Sequence, residues 1–402
     1  MLEQAIEEPV MPVSSRRVRT RMSEPAWGET SVENEPRTPY LKTDLNEVRA
    51  SYQRLTEHLP GIEIYYAMKC NPEPSILKTV LECGGQFEIS SAPEMYQAID
   101  VGADPDKILF SNPIKSLEDI KSAYAAGVAH FAFDSRAEVD KLAEAAPGAR
   151  VYARIAVPVR KSAVASEGKF GVSLSHAQEL LLYAKSRGLE VYGLSFHVGS
   201  QMLDHGSWGH AIEHSSKLMH ALKADGVELR FLDIGGGFPA CYDDVGRDNI
   251  DRIGATIREA LAEHIPEGTR VVAEPGRYMV AGSGTMVSSV IGVAERYDRK
   301  WLHLDVGAFN GMMEALETGN TLAFPVRDCR DSPEKDIFTL TGPTCDSQDT
   351  VLFDVQLSSD MGLGDQVHFD YAGAYTTAFT GRFNGFPNPS SVIWDSADKG
   401  RE

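Results

Sequence analysis

The sequence predicts an α/β fold: an N-terminal (β/α)8 barrel of the TIM type, then a C-terminal β-rich domain of sandwich or barrel-like character. Three observations carry this. Short apolar strands alternate with amphipathic helical stretches from Thr38 to about Arg277, and eight strand candidates fall in that span. After Pro275, helical periodicity gives way to short runs separated by Gly, Pro and Asp. Strands alternating with helices imply right-handed βαβ units and a parallel sheet. Eight such units close into a barrel, whereas a doubly wound open sheet would ordinarily use fewer strands.

Along the chain, residues 1 to about 37 are rich in Glu, Arg, Ser and Pro and show no apolar period, which predicts a disordered arm. Its basic run from Ser15 to Arg21 reads as a solvated tail, with a targeting or docking patch as the alternative. The barrel is expected over residues 38–277, with strands beginning near Ile62, Phe87, Ile108, His130, Arg150, Val191, Leu229 and Arg270. Helices are expected from Ser116 to Gly127, Ala137 to Ala146, His176 to Gly188 and Ser207 to Gly226, several stopped by the glycine that often ends a helix. Over residues 278–402 the expected strands are Thr285 to Val293, Trp301 to Asp305, Asp336 to Leu340 and Gln366 to Asp370, with a helix-like insert from Asn310 to Glu317.

Bulk properties exclude several function classes. The chain has 402 residues, enough for two domains, with 42% hydrophobic and 24% charged residues. A formal net charge of −19 argues against nucleic acid or an anionic membrane as partner. It would attract cationic ligands, although most acidic proteins simply have a solvated acidic surface. No apolar stretch approaches the roughly 20 residues of a membrane span. The start, Met1-Leu2-Glu3-Gln4, lacks the basic and then apolar regions of a secretory signal. The cysteines (Cys70, Cys83, Cys241, Cys329 and Cys345) show no CxxC pairing. They read as free thiols in a reducing compartment, which points to the cytoplasm. No metal is implied.

The strand ends carry the chemistry. They present Lys69, Glu88, Asn112, Asp134, Arg154, His197, the run Gly235-Gly236-Gly237, and Glu274 followed by Arg277. Singly, each has a bland explanation: a lone His after a strand is more often a core residue, and a triple glycine more often a tight turn. A barrel, however, gathers all its C-terminal strand edges around one mouth. Lys69, partly desolvated and with a lowered pKa, could bond an aldehyde cofactor. Gly235 to Gly237 would let backbone N–H groups approach a phosphate, with Arg277 as countercharge. Glu274 could pair with a pyridinium nitrogen, and His197 could stack on the ring. That is a set of parts suited to pyridoxal phosphate.

The motifs YYAMKCNP, SFHVGSQ, DIGGGFP, EPGRYMV, GPTCDSQD, GAYTT and FNGF together resemble the fold type III pyridoxal-phosphate decarboxylases, most closely the compact bacterial form of the ornithine decarboxylase branch. The resemblance runs from about Thr38 to Trp394. It implies that Lys69 carries the cofactor, that His197 stacks on its ring and that Glu274 meets the ring nitrogen. It implies Ser200, Gly235, Gly236, Gly237, Arg277 and Tyr375 at the phosphate, with Glu88, Arg154 and Glu94 supporting the cofactor. It assigns Glu317, Asp346 and Phe383 to the substrate, and places Pro39-Tyr40-Leu41 on the β domain. Cys345 and Asp346 are implied to enter the site from the partner subunit of a homodimer, with Cys345 returning a proton to Cα after carbon dioxide leaves. A small buried hydrophobe is the plainer reading of Cys345.

The implied enzyme is a carboxy-lyase converting L-ornithine to putrescine and carbon dioxide. The alternatives are L-lysine or a shorter or modified diamino acid. Glu88 and Glu317 stand where the ornithine enzymes usually have Asp, and the extra methylene of Glu317 shortens the pocket by about one C–C bond. Diaminopimelate decarboxylases usually carry Cys-Glu-Ser where this chain has Cys345-Asp346-Ser347, alanine racemases lack GPTCD and FNGF, and arginine decarboxylases of this fold are expected to be much longer. A reading of another class is a catalytically dead regulatory binding protein, although such proteins typically lose the cofactor lysine.

Overall fold

The computed structural model describes residues 36–157, 168–242, 249–319, 322–330 and 332–397. The basic run Ser15 to Arg21 and almost all of the expected N-terminal arm lie outside the described residues. The described chain opens with β1 (Tyr40–Asp44) and α1 (Leu45–His58). Eight strands follow: β2 (Glu63–Ala67), β3 (Gln86–Ile89), β4 (Leu109–Phe110), β5 (His130–Phe133), β6 (Arg150–Arg154), β7 (Glu190–Ser195), β8 (Phe231–Asp233) and β9 (Arg270–Ala273). They form a closed parallel barrel in chain order, sealed where Glu63 pairs with Val272 and Ile64 with Ala273.

Helices separate the strands: α2 (Pro74–Glu82), α3 (Ala92–Asp100), α4 (Leu117–Ala126), α5 (Arg136–Ala145), α6 (Leu174–Ser186), α7 (Gly206–Ala224) and α8 (Asn249–His264), with the short α9 (Arg277–Val280) after β9. Local chemistry sets their ends. Ser116 Oγ accepts the Asp119 N–H at 3.0 Å, and Ser135 and Ser173 cap α5 and α6 in the same way, satisfying donors a helix start leaves open. Gly127 ends α4 at φ 104°, a left-handed conformation that suits glycine.

The barrel interior is packed rather than hollow. Tyr65, Leu109, Ala132, Tyr152, Phe231 and Val272 point inward and are fully buried. The Phe231 ring stacks on Tyr192 and tilts against Tyr152, with centroids 5.1 Å apart in each pair. Among the described residues this plug fills the barrel beneath its C-terminal mouth.

Beyond the barrel lies a second sheet. Its strands are β10 (Gly284–Arg296), β11 (Arg299–Leu304), β12 (Val326–Asp328), β13 (Lys335–Thr341), β14 (Thr350–Ser358), β15 (Gln366–Phe369) and β16 (Ser390–Trp394), and α10 (Met313–Glu317) intervenes between β11 and β12. The order is β12-β15-β10-β11-β13-β14. β1 joins this sheet rather than the barrel, antiparallel to β10 and parallel to β16. Leu41, Met286, Leu302, Leu340, Val351 and Phe369 belong to its core. Four of these strands match expected runs, whereas β14 has no two-residue alternation to reveal it. Its Phe353 and Asp354 are both exposed, Asp354 sits at φ 54°, and the pairing with β13 is irregular there. Among the described residues no helix is long and apolar enough to cross a membrane.

Phe231→Ala removes the centre of the barrel plug. It is expected to cost about 3–5 kcal/mol, read as a lowered urea midpoint at unchanged slope.

Candidate active site

The cavity at the barrel mouth has a volume of about 390 Å3. Of the strand-end groups, Lys69, Glu88, Asn112, Arg154, His197, Gly236, Gly237, Glu274 and Arg277 all line it. Asp134 does not; its carboxylate accepts the Gly171 N–H at 2.9 Å instead. Ser200 and Tyr375, from loops rather than strand ends, complete the far wall.

Lys69 lies in the tight turn Met68–Cys70 that follows β2. Its side chain is half exposed to the cavity, and Nζ stands 3.1 Å from Glu88 Oε2, whose side chain is 2% exposed. Burial alone would lower the lysine pKa. The carboxylate of Glu88, together with Tyr375 and Glu274, outweighs that effect and raises the pKa above the ordinary lysine value. The lowered pKa expected from the sequence is therefore corrected: with Glu88 alongside, Lys69 rests as an ammonium. Glu94, on α3, accepts the Ser90 N–H at 2.6 Å, and burial with Glu88 nearby pushes its pKa up to about 7.

His197 follows β7. Its Nδ1 accepts the Gly236 N–H at 3.3 Å. Burial, with Arg154 and Lys69 nearby, holds its pKa down at about 3, so the ring is neutral and free to lie against an apolar face. Arg154 ends β6, its guanidinium 5.4 Å from the Phe170 ring centroid.

The glycine run has no room for side chains. A Cβ on Gly235 would lie 2.1 Å from the Phe196 carbonyl oxygen, one on Gly236 2.5 Å from that of Glu274, and one on Gly237 2.3 Å from that of Gly199. Gly235 and Gly237 also take φ of 65° and 96°. Gly235 itself is turned from the cavity, its N–H donating to Asp233 Oδ1 at 2.8 Å.

Arg277, at the start of α9, is 4% exposed. Its Nη1 donates to Tyr242 Oη at 2.9 Å and Glu314 Oε2 at 2.7 Å, and its Nη2 to Ser200 Oγ at 3.2 Å and to Glu314 Oε1. Nε is buried without a hydrogen-bond partner. A buried guanidinium N–H left over beside a side-chain-free glycine cradle fits the phosphate of the expected cofactor. Tyr375, at φ 52°, donates its backbone N–H to the Cys70 carbonyl at 2.9 Å, so the turn carrying Lys69 is tied to the wall opposite.

Glu274, at the end of β9, is held by groups that the sequence reading passed over. Ser111 Oγ donates to its Oε1, and Asp233 is hydrogen-bonded to it. Burial first, then Glu88, pushes its pKa up to about 7, while Lys69, Ser111 and Asp233 oppose the rise. Ser111 sits one residue before Asn112 at a strand end, and Asp233 opens the DIGGG motif, so both had a positional signal.

The residues predicted to meet the substrate or return the proton, Cys345, Asp346, Phe383 and Glu317, do not line this cavity. Cys345 is exposed and receives Asn384 Nδ2 at 3.2 Å. Asp346 Oδ1 accepts the Gln348 N–H at 2.8 Å, and the Phe383 ring lies 4.9 Å from Phe309. Glu317 is exposed at the end of α10. The acid of that helix joined to the site is Glu314, 3% exposed and bonded through both oxygens to Arg277.

Residues 45–281 match the model of the pyridoxal-dependent decarboxylase family, pyridoxal binding domain. The chain is 36% identical over 364 residues to the lysine/ornithine decarboxylase of Selenomonas ruminantium, covering 89% of this chain and 90% of that one. It is 33% identical to antizyme inhibitor 2 of Xenopus laevis, covering 88% of this chain and 80% of the relative. It superposes on the crystal structure of the Paramecium bursaria Chlorella virus arginine decarboxylase bound to agmatine with a TM-score of 0.84 at 28% identity. That match spans 89% of this chain and 98% of the viral one, so the expectation that arginine enzymes of this fold are much longer is corrected. With the family match over most of the barrel and the curated relatives covered along most of their length, this chain belongs to the pyridoxal-dependent decarboxylases, with pyridoxal phosphate as cofactor.

Proposed function

We propose that the chain is a carboxy-lyase acting on a basic amino acid, with L-ornithine the first candidate, giving putrescine and carbon dioxide, and L-lysine the second. The single observation that carries this reading is the convergence of Lys69, neutral His197, Glu274 and the glycine cradle beside Arg277 on one cavity. The likeness to a lysine/ornithine decarboxylase supports the substrate class. The likeness to a viral arginine decarboxylase of similar length adds arginine as a candidate, beside a shorter or modified diamino acid.

In this reading Lys69 holds the cofactor covalently, Gly236, Gly237, Ser200, Tyr375 and the free Nε–H of Arg277 hold its phosphate, and Glu274 meets its ring nitrogen. Gly235 shapes the cradle, with Glu88 and Arg154 supporting the cofactor at the mouth. When bound, pyridoxal phosphate supplies an aldehyde for that bond and a ring that accepts the electron pair left when carbon dioxide departs. Glu88 keeps Lys69 protonated until the proton is needed elsewhere. His197, uncharged, packs on the ring without opposing its positive charge. Cys345, Asp346 and Phe383 are exposed and do not line the cavity of their own chain, which supports the reading that they serve the cavity of a second copy in a two-fold homodimer. There Cys345 returns the proton to Cα and Asp346 faces the substrate's distal ammonium. The free cysteines suit a cytoplasmic setting.

A regulatory protein without activity is the second reading, favoured by the likeness to antizyme inhibitor 2. Purified protein reduced with borohydride separates the two. The enzyme is yellow before reduction and carries its cofactor on Lys69 afterwards; a chain that stays colourless with added cofactor refutes the proposal. The raised Lys69 pKa has a kinetic sign, because only the neutral amine can attack the aldehyde. Covalent uptake of cofactor by the apoprotein should accelerate about tenfold per pH unit from pH 7 to 9, and Glu88→Gln should speed it at pH 7. A rate independent of pH would show that Lys69 is not held as an ammonium.

Two further outcomes test the substrate and dimer assignments. Glu317→Gln is expected to change KM for ornithine and lysine by less than about twofold, because an exposed carboxylate contributes little. A rise on the order of tenfold would restore Glu317 as the substrate-tail acid. Mixing inactive Lys69→Ala and Cys345→Ala chains should recover about a quarter of parental activity if sites are shared across a dimer, and none if each chain works alone.

A further inference from the structure

Glu274 lies in an unfavourable setting for an anion. It is only partly exposed, with the buried carboxylate of Glu88 on β3 nearby, and the neighbouring cation, Lys69, is paired with Glu88. In such a place a carboxyl group prefers to keep its proton. The proposed function needs the opposite, because a neutral Glu274 leaves the ring nitrogen uncharged and weakens the electron sink.

The structure contains a counterweight that the reaction as described does not use. Ser111, after β4, hydrogen-bonds Glu274 Oε1, and 2.7 Å behind it stands the hydroxyl of Tyr152, on β6. Tyr152 is fully buried in the barrel plug and Ser111 is 7% exposed at the cavity wall, so little water reaches these hydroxyls. The direction of the chain follows from proton counting. An ionised carboxylate can only accept, so the one hydroxyl proton of Ser111 points to Glu274. The serine oxygen then accepts the proton of Tyr152. With each donor polarising the next, the pair binds the charged form of Glu274 more strongly than Ser111 would alone.

We propose that Ser111 and Tyr152 form a buried hydroxyl relay that keeps Glu274 ionised and thereby sets the proton on the cofactor's ring nitrogen. Both are positioning residues, since they act through Glu274, and the inference rests on the proposed pairing of Glu274 with that nitrogen. Asp233 holds the other flank. Its Oδ1 receives the Gly235 N–H, and burial and Glu274 keep its carboxyl protonated, so that it donates to Glu274 and ties it to the glycine run.

The test uses holoenzyme loaded with pyridoxal phosphate labelled with nitrogen-15 in the ring, in which the nitrogen resonance distinguishes pyridinium from neutral pyridine. Ser111→Ala should move the resonance toward the neutral form, part of the way to its position in Glu274→Gln. It should also lower kcat on the order of tenfold with little change in KM, the scale of one hydrogen bond to a charged group. Tyr152→Phe should move both in the same direction by less. The double variant should match Ser111→Ala alone, because Tyr152 acts only through Ser111. Ser111→Thr, which keeps the hydroxyl, should restore the parental resonance and guards against a simple folding defect. A parental resonance in Ser111→Ala, or fully additive effects in the double variant, would overturn the relay while leaving the pairing intact. A parental resonance in Glu274→Gln as well would overturn the pairing itself, and the relay with it.

Discussion

Closure of the barrel is the constraint on which the rest of the molecule depends. Its seam joins β2 to β9 through the pairing of Ile64 with Ala273, and at the mouth the Ala67 N–H donates to the Pro275 carbonyl at 3.1 Å. Lys69 lies two residues beyond one side of this bond and Glu274 one residue before the other. Groups at opposite ends of the barrel sequence thus become neighbours without any local preference for each other. The aromatic plug beneath the mouth gives the seam its support, and it also supplies Tyr152 to the polar layer above.

The second consequence of closure is a crowd of acids. Glu88 and Asp233 are buried beside the partly exposed Glu274, and two cations of the site have glutamate partners: Lys69 has Glu88, and Arg277 has Glu314. Buried charges persist only when paired and hydrogen-bonded. The pairing therefore decides what each side chain is available for. Lys69 is held protonated by a carboxylate that also raises the proton affinity of Glu274. Arg277 spends both terminal nitrogens on Glu314, Tyr242 and Ser200, and only Nε is left to meet an anion. The chain's overall negative charge says nothing of this, because these acids are internal.

The N-terminal half of the chain was the more legible in sequence. The expected barrel strand starts lie within about two residues of the observed ones, since buried parallel strands read as apolar runs and their helices announce themselves through serine caps and terminal glycines. The second sheet was harder. β12 is too short to show a pattern, and β14 loses its alternation at Phe353 and Asp354, where its pairing is irregular. At the site, residues carried by a strand end were visible one by one. The link between Ser111 and Tyr152 was not, because it joins the end of β4 to β6 and Tyr152 is not unusual within its own strand.

The sequence by itself determined which side chains stand at the barrel mouth, because a strand's C-terminal edge is a property of local order and strand ends gather wherever a barrel closes. It also determined the family, through seven motifs in a fixed order. Only the tertiary structure decided the charge state and partner of each group. Whether a lysine rests as an ammonium depends on a carboxylate that is distant in the chain and 3.1 Å away in space. The surroundings of Glu314 and Glu317 were of the same kind. The two acids lie on one short helix, about 4.5 Å apart along its axis, and only the first reaches the depth of Arg277.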